Sequence, residues 1–384
     1  MAIISLGKID KNLIPIFVGG ILCFLNRLLN QYKNTLLFKN VILSNICIST
    51  ARFLAGLPYI LILIRSKKEV FIQEDKINKI DLAKFIPRFN PQEKVDVSKG
   101  KNLYIILTSI INIIQSFLFV HTISIKSNAW TGYIVITAIF YYLFFQIKLY
   151  KHHYLSAIII LLLGITIDLV LNNLQTELIE NISLLLLRYL REILLSFHFV
   201  LIKYIMEKKF VSVYEYTFKN GLLSLILFGI FSIFDHFFFK IDNYDEYFDN
   251  FNSTELLVML GSIFSTLFLT LCILFTVKNN SPNHVFIIFV LGQFSYYINL
   301  ENYSVLAYIF IYIFLSFILL FSFIFNEIIE INFCGLSQNT KRNISSRANN
   351  ESDSLYLRDE SRESILKDSE LEGYQIELNA NDFR

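Results

Sequence analysis

The sequence predicts an all-α, polytopic membrane protein with about ten transmembrane helices in a 5+5 inverted repeat. Three observations lead to this fold class: long apolar stretches recur between Leu13 and Phe325, lysine-rich gaps alternate with lysine-poor gaps, and one short segment occurs twice. Hydrophobic residues make up 54% of the chain and charged residues 17%, against roughly 45–50% and 25% in soluble domains. A soluble globular fold is therefore not expected.

The apolar stretches define the predicted spans. A helix needs about 20 mostly apolar residues to cross the hydrocarbon, where it satisfies its own backbone polar groups. Lys8 and Lys11 precede the first stretch without a small-residue cleavage site after it, so we interpret it as a retained span and not a signal peptide. The predicted spans are 12–29, 41–64, 103–122, 129–149, 154–172, 181–205, 214–234, 255–277, 283–299 and 304–326.

The positive charges orient these spans. Lys and Arg are concentrated at 65–101 and recur after the fourth, sixth and eighth spans, whereas the gap at 173–180 has none. The positive-inside rule then predicts that both termini are cytosolic. The candidate membranes are the endomembranes (Golgi or ER) and the plasma or vacuolar membrane.

The chain divides into three parts on this interpretation. They are an N-terminal five-helix repeat at 1–172 with the cytosolic loop 65–101, a C-terminal five-helix repeat at 173–326, and a polar cytosolic tail at 327–384 expected to be mostly disordered. The four cysteines are scattered without CxxC spacing, so neither a disulfide framework nor a zinc site is indicated. No metal or cofactor is expected.

The internal repeat is the most specific pattern. Phe38-Lys39-Asn40-Val41-Ile42-Leu43-Ser44 opens the second span, and Phe218-Lys219-Asn220-Gly221-Leu222-Leu223-Ser224 lies early in the seventh, with five of seven positions identical. Five spans separate the copies, so the two copies face opposite sides of the membrane, as in the inverted repeats of secondary transporters. Chance similarity in a chain rich in Phe, Leu, Asn and Lys is the alternative.

With this topology the chain resembles the drug/metabolite transporter superfamily, which includes nucleotide-sugar and triose-phosphate carriers. The resemblance covers the membrane region in topology, and its best local point is the segment beginning at Phe218, which is similar to the Phe-Tyr-Asn-Asn segment of GDP-mannose carriers. Their Gly-Ala-Leu-Asn-Lys segment has no counterpart in the ninth span, which argues against GDP-mannose. The stretch 326–336 is similar to one that follows the last helix in uncharacterised ten-span proteins of protists and fungi.

Charged and polar residues inside the spans are the candidate solute-binding residues, because such side chains usually face a cavity or a partner. Arg188 and Glu192 are four apart on one helix face, so they form either a structural ion pair or a site in which Glu192 holds Arg188 toward an anion. Lys39 and Lys219 are repeat-related and either snorkel to the interface or bind the solute. Asn40 and Asn220, beside them, are too short to snorkel.

Polar stripes on two further spans complete the set. Asn45, Ser49 and Arg52 recur at helical spacing in the second span, as do Asn112 and Gln115 in the third, which indicates a wet interior path or interhelical hydrogen bonds. His198 is either a proton relay or a hydrogen-bonded core histidine.

These residues favour a secondary-type transporter that moves a small, anionic organic solute, such as a nucleotide sugar or sugar phosphate, by alternating access. No Walker A segment is present, and no enzymatic activity is expected. The alternatives are a non-transporting receptor or scaffold and, with less support, a lipid-linked membrane transferase. The expected partners are the solute and the lipid bilayer, without nucleic acid, and a homodimer is one allowed assembly.

Overall fold

The computed structural model describes residues 4–6, 11–32, 41–65, 100–122, 129–146, 149–172, 182–239, 252–296 and 305–331. The predicted loop between 66 and 99 and the tail beyond 331 lie outside these residues, as do Lys39 and Asn40.

The described chain is almost entirely helical. The helices are α1 (Ile14–Tyr32), α2 (Val41–Gly56), α3 (Lys101–Thr122), α4 (Gly132–Phe145), α5 (Lys151–Asn172), α6 (Ile182–Lys208), α7 (Val213–Phe234), α8 (Ser253–Asn279), α9 (Val285–Tyr296) and α10 (Val305–Phe325). Short 3-10 turns, Lys11–Leu13, Ala129–Thr131 and Pro282–His284, precede α1, α4 and α9, and a π turn, Asp235–Phe239, follows α7.

Local chemistry explains several helix ends. Ser212 Oγ and Asn252 Oδ1 accept hydrogen bonds from the backbone N–H groups of Glu215 and Glu255 at 3.1 and 3.0 Å, so each caps the first turn of its helix. After Gly56, the second helix breaks at Leu57 and resumes through residue 65. Pro58 accounts for the break because it lacks an N–H group and its ring clashes with the preceding turn.

The chain is an integral membrane protein. Among the described residues, six helices are long and apolar enough to cross a bilayer, at Lys11–Leu28, Ile42–Arg65, Lys101–Leu118, Val213–Phe237, Glu255–Asn279 and Val305–Phe325. Large apolar side chains on their outer faces are exposed, such as Leu103 and Leu257, as expected where lipid replaces water. The prediction of about ten spans stays a prediction, since α4, α5, α6 and α9 do not meet these criteria.

A two-stranded antiparallel ribbon joins the two ends of the described chain. Strand β1 (Ile4–Leu6) pairs with β2 (Ile329–Ile331), with Ser5 opposite Glu330. The sequence analysis predicts no strand, and it assigns β2 to the polar tail. The apolar–polar–apolar alternation of both three-residue segments suits a ribbon with one apolar face.

Two glycines bring α2 and α7 into backbone contact. A Cβ atom on Gly56 would lie 2.3 Å from the backbone nitrogen of Phe218, and one on Gly221 would lie 2.4 Å from that of Phe53. Only residues without a side chain allow helices to approach so closely. The rings of Phe53 and Phe218 then pack beside the contact, with centroids 5.2 Å apart.

Candidate functional site

Two adjoining cavities occupy the interior of the helix bundle. The larger, here the outer lobe, has a volume of about 300 Å³, and the smaller, the inner lobe, about 100 Å³. Four residues line both lobes: Arg52, Asn112, Gln115 and Leu195. The combined cavity therefore reaches the lower end of the size range of small-molecule sites.

Side chains of six helices line the outer lobe. The remaining members of its wall are Asn26, Ser44, Asn45, Ile48, Ser49, Ser116, Arg191, Phe228, Ser262 and Thr266. They come from the first halves or the middle of α2, α6 and α8 and from the second halves of α1, α3 and α7. The outer lobe therefore lies toward one end of the bundle, the end where α2, α6 and α8 begin.

The inner lobe extends toward the other end. Its further lining residues are His198, Phe199, Ile202, Tyr216, Thr217, Asn220, Thr270, Ile273 and Leu274. They belong to the second halves of α6 and α8 and to the first half of α7. The wall of the outer lobe consists mainly of amides and hydroxyls, whereas that of the inner lobe is a mixture of polar and apolar side chains.

The fixed charge of the lining is positive. Arg52 and Arg191 are the charged side chains among the described residues that line the two lobes, and no acid lines either lobe within the described ranges. Behind Arg191, the buried Glu192 carboxylate lies 3.7 Å from the Arg191 guanidinium. Arg27 and Arg188 also act electrostatically on this carboxylate. One acid thus faces three arginines, and the excess charge favours an anion.

Arg188 is not among the described lining residues, whereas Arg191 is. Arg188 acts electrostatically on Glu192, four residues away, whereas the cavity is reached from the neighbouring face of α6. Glu192 itself is 3% exposed and lies behind the wall. The sequence analysis did not select Arg191, although it is adjacent to Glu192 in the chain.

A buried amide network connects α3 with α7 beside the inner lobe. The Asn220 side-chain NH₂ donates to Ser109 Oγ at 2.8 Å and to Thr108 Oγ1 at 3.3 Å, and that of Asn112 donates to Asn220 Oδ1 at 3.5 Å. Nearby, Ser116 Oγ donates to Asn45 Oδ1 at 2.8 Å. These bonds fix the amide orientations and hold the polar wall in place.

His198 is buried in the wall of the inner lobe, 5% exposed, and lies close enough to Arg52 to be affected by its charge. Its Nδ1 atom has no hydrogen-bond partner among the described residues. The proton-relay role stays a prediction.

Lys219 lies at the inner end of the bundle and not in the described cavity wall. Its ammonium donates to Glu215 Oε1 at 2.9 Å and to Asn102 Oδ1 at 3.1 Å. Lys101 forms a second ion pair with Glu215 at 2.7 Å. A solute in the cavity would therefore meet Lys219 only after these contacts change.

Residues on α8 were missed by the sequence analysis. Ser262, Thr266 and Thr270 line the cavity at intervals of four residues. Such spacing places hydroxyl groups on one helix face, so this stripe could have been found by the argument that selected Asn45 and Arg52.

No protein-family model matches the chain, and no curated protein matches it either.

Proposed function

We propose that the chain is a secondary-type transporter of a small, anionic organic solute, such as a nucleotide sugar or sugar phosphate, that works by alternating access. The observation that carries this proposal is the positively charged two-lobed cavity, in which Arg52 lines both lobes. A guanidinium binds phosphate or carboxylate oxygens through two parallel hydrogen bonds. The surrounding amides and hydroxyls offer donors and acceptors to a polyol.

Helix packing supports a 5+5 inverted repeat as part of this proposal. In such a repeat α1 to α5 correspond to α6 to α10 in order. The contact of α1 with α9 then corresponds to that of α6 with α4, and the contact of α1 with α8 corresponds to that of α6 with α3. The contact of α2 with α8 likewise corresponds to that of α7 with α3, and the contacts of α2 with α7 and of α5 with α10 correspond to themselves. All of these pairs are in contact, which is the pattern expected of two halves related by a pseudo-two-fold axis.

The starts of α4 and α9 provide further support. Each begins with a 3-10 turn, and each has an aromatic residue at its second helical position, Tyr133 and Phe286. Their rings stack on each other, with centroids 6.1 Å apart and planes at 5°. Contact between equivalent residues is expected close to a pseudo-two-fold axis.

The start of α1 and the end of α10 lie on the same side of the bundle, as ten spans would require. The amide NH₂ of Asn280, next to the start of α9, donates to the Asn12 carbonyl, and that of Asn326 donates to the Asn283 carbonyl. The start of α1 and the end of α10 therefore flank the same α8–α9 connection, which requires an even number of crossings. With the positive-inside rule, we place this side in the cytosol. These features together make kinship with the drug/metabolite transporter superfamily our proposal.

We propose that the cytosolic end of the cavity is closed in this conformation. The Gly56–Phe218 and Gly221–Phe53 contacts seal α2 against α7, and Glu215 joins α7 to Lys101 at the start of α3. The buried Lys203 ammonium donates to the carbonyls of Lys278 and Asn280, each at 2.8 Å, and so ties α6 to the end of α8. The outer lobe lies at the opposite end, so we assign an outward-facing state.

The closure predicts an effect of Glu215→Gln. The variant removes the carboxylate shared by Lys101 and Lys219, so the cytosolic end should open more often, by about tenfold if the lost pairs contribute about 1.4 kcal/mol together. The rate at which a membrane-impermeant thiol reagent, applied from the cytosolic side, labels Thr217→Cys in a background without native cysteines measures this opening. Glu255→Gln, at the other end of the bundle, is the control, and equal rates in all backgrounds would contradict the closure.

Counterflow in proteoliposomes tests the proposed function. The purified protein is reconstituted into liposomes that are loaded with one unlabelled solute, and uptake of the labelled form of that solute is followed. The experiment is repeated for a panel of nucleotide sugars, sugar phosphates, amino acids and organic cations. We expect exchange of one phosphorylated class and none of the cations. An inactive panel, together with no thermal stabilisation by any member, would favour the receptor or scaffold alternative.

A further inference from the structure

Three potential metal ligands meet where α5 begins and α10 ends. His152 Nε2 lies 3.2 Å from Glu327 Oε1, and His153 Nε2 lies 3.8 Å from the same oxygen. The two imidazole rings are adjacent, with centroids 4.0 Å apart. One ligand atom from each residue lies within 4.8 Å of the other two. This cluster is separate from the cavity, and no step of the transport proposal uses it.

Glu327 occupies a backbone position that normally belongs to glycine. Its φ is 58°, in the left-handed region, and the Ile328 N–H donates to the Phe323 carbonyl at 2.9 Å, five residues back. This is the hydrogen bond that closes a helix through a left-handed residue, where Gly or Asn is usual. A glutamate in this conformation costs about 1 kcal/mol, and a bound ion that holds its carboxylate would offset this cost.

The spacing of the three groups suits a tetrahedral transition-metal ion. Zinc binds imidazole nitrogen at about 2.0–2.1 Å and carboxylate oxygen at about 2.0–2.2 Å, so neighbouring ligand atoms lie about 3.3–3.5 Å apart. The His152–Glu327 distance of 3.2 Å fits this value within about 0.1 Å, and the His153–Glu327 distance of 3.8 Å exceeds it by a few tenths of an ångström. The carboxylate and the carbonyls at the end of α10 favour a cation here, and the positive start of α5 with Lys151 acts against it.

We propose that His152, His153 and Glu327 form a binding site for a divalent transition-metal ion, with Zn²⁺ as the best match to two imidazoles and one carboxylate. Three protein ligands leave the fourth tetrahedral position to water. The ion fastens the first turn of α5 to the segment that connects α10 with β2. Sequence analysis considered cysteine spacing for zinc and so did not consider this pair of histidines.

The imidazole proton of His153 has to change nitrogen when the metal binds. The Tyr150 N–H donates to His153 Nδ1 at 3.2 Å, so the neutral ring carries its proton on Nε2, the atom nearest Glu327. Zn²⁺ displaces this proton, and the contact with Tyr150 lengthens as Nδ1 takes the hydrogen instead. His152 is 4% exposed, and its Nδ1 has no hydrogen-bond partner among the described residues, so this ring can bind through Nε2 with the proton on Nδ1.

Zinc titration of the full-length protein tests the site. The purified protein in detergent is stripped with a chelator and titrated with ZnCl₂, with the heat of binding and the melting temperature as readouts. We expect one Zn²⁺ per chain and a rise in melting temperature. His152→Ala should weaken binding by at least about 100-fold, since loss of even an outer-shell partner typically costs 10- to 100-fold.

Glu327→Gly is the decisive variant because it removes the ligand and suits the left-handed backbone. It should fold without metal at least as well as His152→Ala, and Zn²⁺ should no longer raise its melting temperature. His236→Ala, a histidine at the far end of α7, should bind Zn²⁺ like the unaltered chain. Absence of Zn²⁺ binding by the unaltered protein, or equal stabilisation of Glu327→Gly, would overturn the proposal without affecting the transport assay.

Discussion

Arg52→Ala is expected to abolish counterflow of the anionic solute while the protein remains folded in the membrane. Arg52 lines both lobes, so its side chain is in contact with the space of each. Two charge-assisted hydrogen bonds contribute about 1.5–3 kcal/mol each, so their loss should weaken binding by 100-fold or more. Uptake rates and ligand-induced thermal stabilisation measure the two effects.

Two further variants make the Arg52 result specific. Arg52→Lys keeps the charge but loses the planar fork, so it should retain part of the binding. Arg65→Ala removes an exposed arginine from the end of the same helix and should transport normally. Full activity of Arg52→Ala would show that Arg52 does not bind the solute.

The lining arginines also rank the remaining candidates. Arg191→Ala should reduce uptake more strongly than Arg188→Ala, because only Arg191 belongs to the described wall. Lys219→Ala should alter the opening of the cytosolic end through its contact with Glu215 and leave the affinity for the solute nearly unchanged. Comparing solute affinity with the rate of exchange separates these roles.

Gly221→Ala is expected to cause a large loss of stability. Its new Cβ would lie 2.4 Å from a backbone atom of α2, and no rotamer change can relieve a clash with backbone. The helices must separate, at a cost of about 1–3 kcal/mol or more. Thermal unfolding in detergent measures the loss.

Gly229→Ala on the same helix is the matched control. A Cβ atom there meets nothing within 4 Å, and Ala is a better helix former than Gly by about 1 kcal/mol. This variant should therefore be as stable as the unaltered chain or more so. Similar melting temperatures for the two alanine variants would show that α2 and α7 do not touch at Gly221.

The membrane class and the positions of the helices followed from apolar length alone. Long stretches such as 103–122 and 214–234 leave the chain no other way to satisfy its backbone in lipid. The break after Gly56 was not predicted, although Pro58 is visible in the sequence.

Site residues were harder to predict because they depend on side-chain direction and on packing between distant helices. Asn45, Arg52, Asn112, Gln115, His198 and Asn220 all line the cavity, and whether they bind a solute stays a prediction. Periodicity selects a helix face but not the neighbour that covers it, so Arg188 and Arg191 could not be distinguished. The meeting of His152 with Glu327 joins positions 175 residues apart, and no local pattern predicts it.

The β1–β2 ribbon sets an order for the last step of biosynthesis. Residues 4–6 are made before α1, yet their partner at 329–331 is made only after α10. The ribbon therefore cannot form until all the helices that the structure describes, α1 to α10, have been synthesised. Its formation therefore follows the synthesis of α10, and a truncation before residue 329 leaves the first strand without the edge it pairs with.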